Sequence, residues 1–396
     1  MPDKKFLKIF FTLFMSVFVT TMGAGIIGPL LPVYAHDLGA TAFQIGLIFA
    51  AFSLTRSIFV PFFGKYSDIK GKKPILLLGL LLYFVLSIFY SLNHGIWHLI
   101  FLRLTQGFAS AMILPVAQAY VGVITPENYE GRIMGLFNVS LYGGLSAGPI
   151  IGGIVKDCSG IKYSFLSMGI LALTGFLLCF FLLPPRYKEP KTSKIINITP
   201  YLKLIKNFSI FSLFFFRVCF TLCIGIIWTF LPLIASTKLG FSSTTIGILL
   251  SIHVLTSGLF QTPMGYMADK YNKKIMIIIG GIIGIISILA LSFASNFWQI
   301  ALINALLGFA AGISIPAVMA LSVIEGRKTG SMGSIMGLLA QAHSLGMLFG
   351  PIMAGLLMDF ISFKWTFIIA AFILFTGTFI IYFIPSLDNQ KSVFIF

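Results

Sequence analysis

Apolar stretches of about 20 residues recur along the whole chain, each long enough to cross a hydrocarbon layer about 30 Å thick as an α-helix. Twelve are discernible, covering approximately residues 7–34, 43–64, 75–93, 97–122, 132–155, 163–184, 208–235, 244–267, 275–293, 297–322, 332–358 and 364–384. Little chain remains between them for a water-soluble domain. With 58% hydrophobic and only 10% charged residues, the sequence also lacks the material for a polar shell. The first stretch is too long for a cleavable signal peptide and has no convincing small-residue cleavage site, so it reads as a permanent helix. The expectation is an all-α integral membrane protein with twelve transmembrane helices.

A net charge of +16 raises the question of nucleic acid, and the placement of the 27 Lys and Arg residues answers it in the negative. Only Lys156, Lys162, Lys238 and Lys364 fall on one side of the spans, and Arg56, Arg103 and Arg217 fall within them. All the others lie on the opposite side, which the positive-inside rule assigns to the cytoplasm together with both termini. A multi-pass protein of a bacterial inner membrane is expected. Cys158, Cys179, Cys219 and Cys223 show no metal spacing and read as small packing residues.

The chain repeats itself. "GRIMGLFNVSLYGGLSAGPIIGGIVKD" (131–157) aligns with "GSIMGLLAQAHSLGMLFGPIMAGLLMD" (333–359) at an offset of 202, with Gly144, Gly148, Pro149, Gly153 and Asp157 among the recurring positions. At an offset of 201, "GKYSDIKGKK" (64–73) meets "GYMADKYNKK" (265–274). Two copies of six helices have the same orientation, because six is even. The domain reading is therefore a first half over 1–184, a cytoplasmic linker over 185–207, a second half over 208–385 and a cytoplasmic tail over 386–396.

These residues resemble the major facilitator superfamily over essentially the whole chain. "GKYSDIKGKK" is similar to its signature between helices 2 and 3, with Gly64, Asp68, Gly71, Lys72 and Lys73 in place and Ile69 departing from the usual basic residue. "RLTQG" (103–107) resembles the helix 4 signature. The helix 5 signature is matched at Gly135, Gly144, Gly148, Pro149, Gly152 and Gly153. The resemblance implies a drug:proton antiporter working by alternating access, with protons as coupling ion and Arg103 bonded to backbone carbonyls near helix 1. It also implies that Asp68, with Asp269 as its counterpart, caps and pairs across the cytoplasmic interface of the two halves.

The spacing of Gly144, Gly148 and Gly152 makes a smooth stripe for close approach of another helix, and Pro149 removes a helix hydrogen bond, which favours a bend. Two readings of the stripe stand: a hinge, or small residues that merely help helices pack. Gly64 is likewise expected to admit a close neighbour. The lysines of the helix 2–3 loop serve equally as ordinary orientation signals.

None of the 11 acidic residues falls at mid-membrane, which counts against proton coupling by a buried carboxylate. His253 and His343 are the alternatives, against a packing role for each. Intramembrane arginine costs about 2.5–3.5 kcal/mol on insertion scales and calls for water or a partner. Arg56 and Arg217 are thus candidates for an anionic cargo, with Gln118, Asn138, Asn304 and Gln341 as possible lining or interhelical bridges. No phosphate-cradling loop, zinc spacing or catalytic nucleophile is present, so the chain reads as a non-enzyme without cofactor, driven by a gradient. The expected function is efflux of a small organic or drug-like molecule by a monomer. The alternatives are a transporter of an organic anion, siderophore, sugar-like or lipid-like metabolite and, more remotely, a non-transporting receptor or assembly factor.

Overall fold

A computed structural model describes residues 4–93, 95–125, 130–184, 204–329 and 331–384. The tail, and all of the linker except 204–207, therefore lie outside the described residues. Among the described residues, twelve long helices follow one another: α1 (Lys4–Asp37), α2 (Ala42–Lys70), α3 (Lys72–Ser91), α4 (Ile96–Ile124), α5 (Glu130–Ser159) and α6 (Ile161–Leu182). The second series is α7 (Phe208–Thr237), α8 (Ser243–Lys270), α9 (Lys273–Leu291), α10 (Phe297–Thr329), α11 (Met332–Phe360) and α12 (Phe363–Tyr382). Eleven of them are long and apolar enough to span a membrane. The exception is α5, long enough at 30 residues but diluted by its glycines, Asn138 and Pro149.

Local chemistry sets the breaks. At the α2–α3 turn Gly71 has φ of +93°, a left-handed conformation that side chains resist, and its N–H donates to the Ser67 carbonyl. The repeat solves the equivalent turn differently, since Asn272 caps α9 by accepting from the N–H groups of Lys274 and Ile275. Lys73 donates to the carbonyls of Phe180 and Leu183 at the end of α6, and Lys274 donates to the Ile384 carbonyl after α12. Each lysine thus satisfies carbonyls that a helix terminus leaves without partners.

The helices gather into two compact units. The first comprises Met1–Thr192, Gly225–Leu255 and Leu348–Phe360. Within it α1 packs on α5 and α6, α3 on α4 and α6, and α2 on α4. The second comprises Ser193–Ile224, Thr256–Met347 and Ile361–Phe396, where α9 packs on α10 and α12. These borders differ from the repeat boundary, because parts of α7, α8 and α11 belong with α1–α6.

Candidate functional site

The helix 5 signature divides between two neighbours. Gly144, Gly148 and Gly152 face α1: a Cβ at Gly144 would strike Thr21 and the Phe18 carbonyl, one at Gly148 the Met22 carbonyl and Gly25, and one at Gly152 Ile26. Gly153, a quarter-turn away, faces α8 instead, where a Cβ would collide with the backbone of Ser243 and Thr244. The Pro149 carbonyl lies against Gly247 of α8. One helix therefore carries two close seams, each formed where absent side chains let backbones touch. Gly135 contributes to neither, for a Cβ there meets nothing within 4 Å.

The repeat reproduces both seams. Gly346 of α11 packs against Thr221, Val218 and Leu222 of α7 in the second unit. In the first unit, Gly355 meets Ala42 and Phe43 of α2, and Gly46 of α2 meets the Pro351 carbonyl. Close by, Ser251 of α8 donates to the Ser146 carbonyl of α5 at 2.5 Å.

In the α2–α3 loop, Asp68 accepts from the Lys72 ammonium at 3.1 Å, an ion pair in which the lysine is buried and the aspartate 63% exposed. Asp68 thus has a partner in its own repeat. Asp269 is exposed at the end of α8. Gly64 departs from expectation: a Cβ there meets nothing within 4 Å, so no neighbouring helix approaches it here.

Arg103 is buried in the first unit. Its Nε donates to the Ile48 carbonyl at 3.3 Å and its Nη1 to Gln106 Oε1 at 2.9 Å, while its guanidinium lies 5.0 Å from the Phe49 ring and 4.6 Å from Phe52. The expected carbonyl bond is present, but on α2 rather than helix 1, because α2 is the close neighbour of α4. A Cβ at Gly107 would clash with the Phe52 carbonyl and Thr55, and Thr55 donates to the Leu104 carbonyl at 2.8 Å. Tyr90 completes the group by donating to Gln106 Oε1 at 3.0 Å. The arginine is compensated by a carbonyl, an amide and two aromatic faces, the means by which a charge persists in a low-dielectric interior.

Arg56 is half-buried on α2 and interacts with Tyr83 of α3, which also interacts with Arg103. Arg217 on α7 is half-buried, His253 on α8 buried and His343 on α11 half-buried. Arg56 and His253 belong to the first unit, Arg217 and His343 to the second. Asn138, Gln118 and Gln341 are half-buried, and Asn304 is fully buried with its amide donating to the Ile300 carbonyl of its own helix. Cys179, Cys219 and Cys223 are buried and unpaired by disulfides, as packing residues are, whereas Cys158 is exposed.

Two roles escaped the sequence reading, although Lys73 stood in the loop signature and Asp157 in the repeat. Asp157 and Asp359 bind helix N-termini, and Lys73 and Lys274 bind helix C-termini. The signal was the recurrence of each residue at the repeat offset.

Among the described residues, twelve long helices in a duplicated chain, eleven of them apolar enough to span a membrane, define a multi-pass membrane protein. The sequence profile of the Major Facilitator Superfamily matches residues 13–220 and 213–393, and the chain belongs to that family. An uncharacterised MFS-type transporter of Methanocaldococcus jannaschii is 31% identical over 356 residues, 89% of this chain and 92% of its own. The quinolone resistance protein NorA of Staphylococcus aureus is 28% identical, covering 89% of this chain and 90% of its own. Among solved structures, a bacterial homologue of the human lysosomal transporter Spinster, inward-facing and unoccupied, superposes with a TM-score of 0.80 at 12% identity, covering 96% of this chain and 97% of its own. The nucleoside transporter NupG does so at 0.78 and 14% identity, covering 94% of this chain and 99% of its own. The family makes this chain a transporter of a small-molecule substrate and not an enzyme.

Proposed function

We propose that this transporter exports small organic, drug-like molecules in exchange for protons, from a cytoplasmic membrane in which both termini face the cytoplasm. The observation that carries the reading is the helix 5 signature, complete in sequence at all six positions and, from Gly144 onward, folded into two seams on α1 and α8. The likeness to NorA along nearly the whole chain supports an organic, drug-like cargo. Alternating access of the 1–184 and 208–385 halves follows from the duplication.

One of the three intramembrane arginines, Arg103, needs no anionic cargo to balance it. Arg103 is already compensated by Ile48, Gln106 and the rings of Phe49 and Phe52, and Arg56 shares the neighbourhood of Tyr83. No acidic residue lies at mid-membrane, and the buried Glu325 near the end of α10 is held in an ion pair with Lys328 at 3.0 Å, which leaves His253 and His343 as the candidates for carrying the coupled proton.

Purified full-length protein in liposomes, with an imposed pH gradient, tests the reading. A fluoroquinolone and a fluorescent cationic dye should move against the proton gradient, and collapsing the gradient with an ionophore should stop them. Movement of organic anions alone, or movement indifferent to the gradient, overturns it.

A further inference from the structure

Asp157 at the end of α5 and Asp359 at the end of α11 are counterparts in the repeat, and each binds the first turn of a helix from the other repeat. Asp359 accepts from the Ala42 N–H at 3.0 Å through Oδ1 and from the Phe43 N–H at 2.9 Å through Oδ2. Asp157 accepts from the Ser243 N–H at 3.1 Å through Oδ1, and from the Thr244 N–H at 2.8 Å and the Thr244 hydroxyl at 2.7 Å through Oδ2. All of these residues lie in the first compact unit.

Neither helix needs its aspartate in order to start. Thr41 caps α2, its hydroxyl accepting from the Gln44 N–H while the Gln44 side chain accepts from the Thr41 N–H. Ser242 does the same for α8, accepting from the Thr245 N–H at 3.2 Å. In both helices the local cap takes the third N–H, and the aspartate from the other repeat takes the first two. The carboxylate is therefore spare for helix formation and bears on contact between repeats. The same contact seats Gly355 and Gly153 on those first turns.

Asp157 and Asp359 are both exposed, so a parted carboxylate and its freed N–H groups return to water. A bond of this kind is reversible: a charge at an exposed helix N-terminus shifts an equilibrium only about fivefold. That suits a contact made and broken in every cycle better than a permanent one.

We propose that Asp157 and Asp359 are paired gating residues, two anionic latches that close the mouth away from the linker in one half of the transport cycle and release it in the other. The inference rests on the alternating-access reading above, but its test reads distance, not transport. Spin labels on Lys162→Cys and Lys238→Cys, in an otherwise full-length Cys158→Ser protein in liposomes without cargo, report the width of that mouth. Asp157→Asn should move the short-to-long ratio about fivefold toward long distances. Asp359→Asn, though it removes a latch at the other seam, should move the same pair comparably, and the double variant about twenty-fivefold, since distant effects add.

Thermal unfolding in the same liposomes should change little, because both local caps remain. Unchanged distances in the double variant overturn the proposal. So does a response to Asp157→Asn without one to Asp359→Asn, or a loss of thermal stability with distances unmoved, which marks the aspartates as static caps. Fluoroquinolone export by the same preparations reads the proposed function separately, so either idea is able to fail while the other stands.

Discussion

Adding a single methyl group at Gly148 tests the α1–α5 seam directly. The new Cβ would sit 2.8 Å from the Gly25 Cα and closer still to the Met22 carbonyl oxygen, whereas ordinary contact begins at 3.4 Å. Relief therefore requires the two helices to part by at least 0.6 Å, the difference between 3.4 and 2.8 Å. Backbone atoms have no rotamer to change, so the strain falls on the whole seam at about 1–3 kcal/mol for overpacking. Against this stands the helix propensity of alanine, about 1 kcal/mol better than glycine. The net effect of Gly148→Ala is a loss of up to about 2 kcal/mol, and Gly148→Leu, with three further carbons, should abolish export. Gly135→Leu is the control, because its methylenes enter open space. Dye export by liposomes matched for protein content, together with thermal unfolding, measures both. Wild-type export and stability in Gly148→Leu, or equal losses in Gly148→Leu and Gly135→Leu, would refute the packing argument.

Arg103→Gln leaves the Ile48 carbonyl and Gln106 without their cationic donor and should cost about 1.5–3 kcal/mol of stability, seen as a lower unfolding temperature; Arg103→Lys, which lacks the planar fork, should recover only part. Gly71→Ala forces a side chain into a φ of +93° and should destabilise the α2–α3 turn by about 1 kcal/mol, detectable as faster amide exchange there, while Asn272→Gly should be mild because its turn needs no left-handed residue. Transport by His253→Gln, His343→Gln and the double variant should lose its response to an imposed pH gradient in at least the double; a retained response removes histidine as the proton carrier. At Asp157, which lies beyond the apolar span, burial raises the carboxyl pKa but the hydrogen bonds from Thr244 and Ser243 outweigh it and hold the group below the ordinary carboxylate value. A depressed value means that the latch is fully present above the ordinary carboxylate pKa of about 3.9 and is lost as pH falls through the depressed one. The titratable groups on the elements meeting there include Lys156 and Cys158 of α5, Lys162 and Tyr163 of α6, Lys238 between α7 and α8, and His36 and Asp37 at the end of α1, which packs on α5. The mouth distance should accordingly stay constant between pH 8 and 5, roughly, and widen only below about 4; a midpoint near neutrality would refute this assignment.

The helices were legible because their lengths and hydropathy are fixed by the thickness of a bilayer, and the duplication because Gly144, Gly148, Pro149 and Gly153 recur at one offset. Even α5 could be found, although its glycines thin its apolar content, since its length and repeat partner identify it. The partners were not legible. Spacing put Gly148 and Gly152 on one stripe, but only the fold shows that this stripe meets α1 while Gly153 meets α8. Arg103 was rightly given a carbonyl, yet whether α1 or α2 supplies it depends on which helix α4 packs against. Gly64 shows the converse, a glycine in a signature position with open space around it. Asp359 and Ala42 are 317 residues apart, and nothing local to either announces the other.

The aspartate contacts cross over: the first repeat's Asp157 holds the second repeat's α8, and the second repeat's Asp359 holds the first repeat's α2. This reciprocity, in which a residue pair recurs with its owners exchanged, is the mark of a self-complementary interface between two identical subunits. A six-helix ancestor paired with its own copy would have closed both seams with a single aspartate, glycine and helix start, encoded once. Joining the copies into one chain freed each position to change independently, as Gly71 against Asn272 and Gly152 against Ala354 already have. The two seams are thus able to diverge in tightness while the crossing pattern, inherited from symmetry, stays the same.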